Sequence, residues 1–118
     1  MKLKIIQIID RGVPQKERLH MSVLADANLT NYAVIDTARV ESTKIAAGSR
    51  RVYWFFDKKV RAGDSVILFS GPGTNISQPR ADGANNHFYY WGFKETIWGD
   101  PLSCAVLLEL NSWETSPA

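Results

Sequence analysis

The chain has 118 residues, 45% of them hydrophobic and 22% charged, with a net charge of +2 and one cysteine. That length suits one domain, 1–118, burying roughly two-thirds of its unfolded surface, and the composition lies far from the charge-rich, apolar-poor balance of disorder. A single cysteine excludes an internal disulfide, no apolar stretch approaches the roughly 18 residues of a membrane-spanning helix, and Asp10 ends the opening run before a signal-peptide core is complete, so a cytoplasmic location is expected.

Leu3 to Ile9 form a mostly apolar run that Gly12-Val13-Pro14 breaks, as expected of a strand buried on both faces or placed at a sheet edge. From Arg18 to Asp26 the period is two: Leu19, Met21, Val23 and Ala25 face one way, Arg18, His20 and Ser22 the other. Tyr32 to Thr37 give a third strand. Ala38 to Ser49 fit either a helical turn or a weak edge strand. Val52-Tyr53-Trp54-Phe55-Phe56 carries strong strand preference and ends in Asp57-Lys58-Lys59. Ala62-Gly63-Asp64 turns the chain into a strand over Ser65 to Phe69. Ser70 to His87, rich in glycine, proline and asparagine, reads as a loop of unusual length. Phe88 to Phe93 is a second aromatic strand, and Trp98-Gly99-Asp100-Pro101 leads into Ser103 to Leu110, where Cys104, Val106, Leu108 and Leu110 share a face. About seven strands with frequent turns and no convincing helix predict an all-β fold, an immunoglobulin-like antiparallel sandwich of two sheets.

Several of these segments, in order, resemble the lamin tail domain family. Glu17 to Val23 followed by Asn28 to Asp36 is similar to its opening strands, Val60 to Leu68 to its glycine turn and next strand, and Trp98-Gly99-Asp100 with Ala105-Val106-Leu107 to its tryptophan, turn and final strand. The resemblance spans about Glu17 to Leu110. It implies an immunoglobulin-like sandwich, no catalysis, and a role in binding proteins or nucleic acid. Trp98 is expected in the core.

No Cys-x-x-Cys, His-Glu-x-x-His or Gly-x-Ser-x-Gly is present, and Ser70 to Asn75 lacks the lysine of a phosphate loop, so neither enzyme, metal nor cofactor is expected. Cys104 could be activated only by His20 or His87, and its alternation with Val106 and Leu108 predicts a buried, inert thiol. Arg50, Arg51, Lys58, Lys59 and Arg61 stand against Asp57 around an aromatic strand and form a candidate surface for weak, nonspecific nucleic-acid binding. The other reading is that they keep an apolar strand soluble. Consecutive rings on both aromatic strands cannot all share one face. With Trp54 and Phe56 inward, Tyr53, Phe55, Tyr89 and Trp91 are expected outward. That face would serve a homodimer or, with His87 and the 70–87 loop, a carbohydrate or small ligand.

Overall fold

The computed structural model describes residues 1–41, 44–45 and 51–117. Over these residues the chain is all-β, with one single-turn 3-10 helix, Leu29–Asn31, between strands. No described helix is long and apolar enough to cross a membrane. The strands are β1 (Leu3–Ile9), β2 (Arg18–Val23), β3 (Ala27–Asn28), β4 (Tyr32–Glu41), β5 (Lys44–Ile45), β6 (Arg51–Trp54), β7 (Lys59–Val60), β8 (Ser65–Phe69), β9 (Ile76–Pro79), β10 (Asn85–Tyr90) and β11 (Ser103–Glu109).

Five strands form one sheet in the order β1-β2-β8-β10-β9. In β2 the alternation is obeyed, with Leu19, Met21 and Val23 buried, although the strand ends before Ala25. β8 lies centrally and is buried almost throughout, which its continuous apolar run requires. β1 takes the edge. It is not buried on both faces: Ile6 is exposed, and a bulge between Ile5 and Gln7 interrupts the ladder, a feature that blunts an open edge.

The second sheet is organised on β4, which pairs antiparallel with β11 along one side and with β6 and β5 along the other. β4 runs past Thr37 to Glu41 and turns back as β5, so part of the ambiguous segment is strand; 42–43 and 46–50 lie outside the described residues. β3 and β7 form a short separate ladder. A single hydrophobic cluster draws Leu19, Met21, Val66 and Leu68 from the first sheet, Tyr32 and Val34 from the second, and Phe55 from just past the end of β6. Trp98 is fully buried in it, as expected.

Three expectations need correction. The loop over 70–87 contains β9, which folds back antiparallel on β10. Strand pairing is not antiparallel throughout, because β10 inserts between β8 and β9 and runs parallel to β8. Cys104 is only half-buried, since Ala105 and Leu107 are the β11 residues packed on the core and Cys104 alternates with them.

Candidate functional site

The aromatic residues are placed opposite to the sequence expectation. Phe55 is 2% exposed and Tyr89 6%, while Tyr53 and Trp91 pack against the core. The Tyr53 ring makes edge contacts with Phe55, Tyr89 and Trp91 at centroid distances of 5.1, 6.3 and 5.8 Å. Burial, with the neighbouring Tyr53, pushes the Tyr89 hydroxyl up to about 12, and burial also raises that of Tyr53. Trp54 and Phe56 are the exposed pair, 44% and 67%. The reason lies in register. β6 pairs Tyr53 with Val34 of β4, which belongs to the hydrophobic core cluster, and Trp54 with Ala33, which does not, so odd-numbered positions of this strand point inward.

The basic cluster is also divided. Arg50 lies outside the described residues. Arg51 donates from Nε to Asp36 Oδ2 at 2.8 Å and its guanidinium lies 4.6 Å from the centre of the Phe93 ring, so its charge is engaged within the fold. Lys58, Lys59 and Arg61 are exposed around β7, where Lys58 lines a cleft with the exposed Phe56.

A richer surface is the outer face of the five-stranded sheet, where pairing registers set side chains in three rows. Arg18, Phe69 and Tyr90 form one row across β2, β8 and β10. His20, Ile67, Phe88 and Ile76 form the next, and Ser22, Ser65, Asn86 and Gln78 the third. Phe69 and Tyr90 stack with centroids 5.0 Å apart and planes within 10°, and Arg18 lies 5.8 Å from the Phe69 ring centre. Gly73 closes the end of that row: a Cβ there would sit 2.3 Å from the Tyr90 ring, so only glycine permits the approach. At the other margin Arg80 donates to Ser65 Oγ at 2.8 Å and to Asn86 Oδ1 at 3.3 Å. His20 lies between the two arginines. Partial burial, then the charges of Arg18 and Arg80, hold its imidazole below the usual histidine range. This face combines half-exposed rings with two arginines at its margins, Arg18 paired with Asp10 at 2.9 Å and Arg80 with Asp82 at 3.2 Å.

The inner face of the same hairpin carries a chain of polar side chains. Register places Ser77 opposite His87, and Ser77 Oγ lies 2.7 Å from His87 Nδ1. His87 Nε2 lies 2.9 Å from Asp64 Oδ2, and both of these side chains are buried. His87 is therefore no open ligand contact, because both ring nitrogens are engaged. Burial pushes the Asp64 carboxyl up, but the hydrogen bond from His87 and the Arg61 and Asn85 backbone N–H groups outweigh it and hold it below its ordinary value. Ser77 itself is exposed and lines a cleft of about 350 Å³ with Phe56, Lys58, Asn75 and Tyr89. Nothing in the linear sequence marks this trio. Only the hairpin register, hidden in an apparent loop, brings Ser77 against His87.

No protein-family model, curated protein or solved structure matches the chain.

Proposed function

We propose that the chain is a lamin-tail-like binding module that holds single-stranded nucleic acid, weakly and without base specificity, across the outer face of the five-stranded sheet. The observation carrying this reading is the Phe69–Tyr90 stack between Arg18 and Gly73, with His20 in the field of both Arg18 and Arg80. Apolar ring surface gives bases and sugars a place to rest, and the Arg18 guanidinium at the margin, which Asp10 shares, meets phosphates. The all-β fold and the buried Trp98 support the lamin-tail resemblance. So does the turn after it, where the Leu102 N–H donates to Asp100 Oδ1 at 2.8 Å at the entry to β11.

Fluorescence anisotropy with a labelled oligonucleotide, at low and moderate salt, tests the proposal. Arg18→Ala with Phe69→Ala should abolish retention, whereas Lys58→Ala with Lys59→Ala should leave most of it. Binding of a neutral oligosaccharide to the same face, with none of the oligonucleotide, would replace this reading with the carbohydrate one.

A homodimer belongs to the same proposal, seated on the exposed row Val52, Trp54 and Phe56 rather than on the buried rings. Trp54 is already oriented by its indole N–H, which donates to Thr30 O at 2.7 Å, and by an edge contact with Trp113.

A further inference from the structure

We infer that Ser77, His87 and Asp64 form a nucleophilic relay that gives the cleft beside Ser77 a weak acyl-transfer activity toward small carboxylic esters. The three side chains are joined in series: Ser77 Oγ to His87 Nδ1 at 2.7 Å, and His87 Nε2 to Asp64 Oδ2 at 2.9 Å. That is the arrangement a serine nucleophile needs, a base within hydrogen-bond reach and a third group orienting the base. The ring is used with its nitrogens in the opposite sense from the serine protease template, which is a matter of approach and not of chemistry.

Protonation follows from the partners. Asp64 also accepts the Arg61 N–H and the Asn85 N–H at 3.0 Å each, which suit an ionised carboxylate and not a protonated one. Facing that carboxylate, a neutral imidazole carries its proton on Nε2, which leaves Nδ1 to accept the Ser77 hydroxyl proton. Burial fixes the ring: His87 and Asp64 side chains are 5% and 4% exposed, so the base cannot swing away from its nucleophile. Ser77, in contrast, is exposed at a sheet edge and reaches the cleft. The cleft walls offer Phe56, Ile76 and Tyr89 to an apolar acyl group, and Lys58 brings a cation to the same cleft.

The reaction balances without any redox partner. Ser77 Oγ bonds to the acyl carbon as its proton passes to His87 Nδ1. The ester C–O bond then breaks, and the leaving alcohol takes that proton. Water next attacks the acyl-serine, again giving a proton to Nδ1. The Oγ–acyl bond breaks, Oγ recovers the proton, and a carboxylic acid departs. The relay side chains lie on the inner face of the hairpin, and although Ile76 and Phe88 of the outer face also line the cleft, Arg18, Phe69 and Tyr90 do not, so the Arg18→Ala with Phe69→Ala variant tests nucleic-acid binding without touching the relay.

The test uses p-nitrophenyl acetate as substrate and a fluorophosphonate as covalent probe. Expected are ester hydrolysis by the wild-type chain that falls about a hundredfold in Ser77→Ala, the usual scale for a general-base-assisted step, and a phosphonyl adduct mapped by mass spectrometry to Ser77. Ser77→Ala removes one exposed hydroxyl and should keep its far-UV spectrum and melting temperature. Equal hydrolysis by both proteins, or no adduct on Ser77 in the folded wild-type chain at millimolar probe, overturns the inference.

Discussion

The Glu17 carboxylate accepts the backbone N–H of Trp98 at 3.0 Å, joining residues 81 positions apart in the chain. The same buried carboxylate accepts from the Ile97 N–H at 2.8 Å, the Gly12 N–H at 2.9 Å and Ser70 Oγ at 2.6 Å. It thereby ties the β1–β2 turn, the end of β8 and the tryptophan loop together. Gly12 and Gly99 complete the joint, since a Cβ on Gly99 would lie 3.1 Å from the Gly12 Cα.

Removing Glu17 strands four donors, each costing about 1–3 kcal/mol when left unpaired in the interior. Glu17→Ala should therefore destabilise the fold by roughly 3 kcal/mol or more, comparable to the 3–5 kcal/mol expected for Trp98→Ala. Urea denaturation checks both. An unchanged midpoint for Glu17→Ala would show that water replaces the carboxylate at no cost.

The adjacent rings Phe55 and Phe56 should respond very differently. Phe55→Ala opens a cavity in the core and should cost about 3–5 kcal/mol, whereas Phe56→Ala, at an exposed position, should stay within about 0.5 kcal/mol. An ultraviolet titration offers a parallel check: the Tyr89 phenol should resist ionisation until about pH 12.

Binding of an oligonucleotide should strengthen as pH falls through the histidine range. His20 is held below its ordinary pKa by burial and by Arg18 and Arg80, so it is neutral at pH 7. An anion on the outer face favours the imidazolium, and affinity rises once protons are available. Linkage gives the opposite sign for the ligand-free fold, whose depressed His20 makes a contribution that weakens at the same acid pH. His20→Gln should flatten the pH dependence of affinity measured by anisotropy, and the salt slope should be near −1 to −2, as about two phosphate contacts require.

Acid should loosen the hairpin base. The Asp64 carboxyl is held below its unfolded value, so its stabilising contribution is complete above that value and lost as pH falls through the lower folded one. Asp64→Asn should remove much of this acid dependence, visible in melting temperatures between pH 5 and about pH 2. A wild-type melting curve insensitive to pH over that window would contradict it.

Sedimentation across a hundredfold concentration range should show self-association that Trp54→Ala with Phe56→Glu abolishes. A sedimenting mass of 13.2 kDa at every concentration would remove the homodimer from the proposal.

Strands whose pattern is local were legible in the sequence. β1 and β8 fall on the expected residues because turn glycines bound both runs, and the alternation of β2 names its buried face correctly. What remained hidden depends on register between distant segments. Nothing within Val52 to Phe56 tells which parity faces Val34, and the expected parity was the wrong one. β9 carries a single large apolar residue, Ile76, and the side-chain bond it makes across the hairpin, Ser77 to His87, is polar, so it has no hydrophobic signature. Glu17 entered only as part of a family-like motif, because its four donors come from three separate parts of the chain.

The parallel pairing of β10 with β8 constrains the order in which the chain can assemble. β10 must lie between a strand that precedes it and the strand it hairpins with, so its place cannot be filled by simple zipping from β8 onward. The β9–β10 hairpin is the local step, with microsecond kinetics typical of such turns, whereas docking its inner edge on β8 waits for the 70–75 segment to close. Until then β8, the most buried strand, exposes one unpaired edge. That interval, more than any weakness of the finished fold, is when the chain is open to intermolecular pairing.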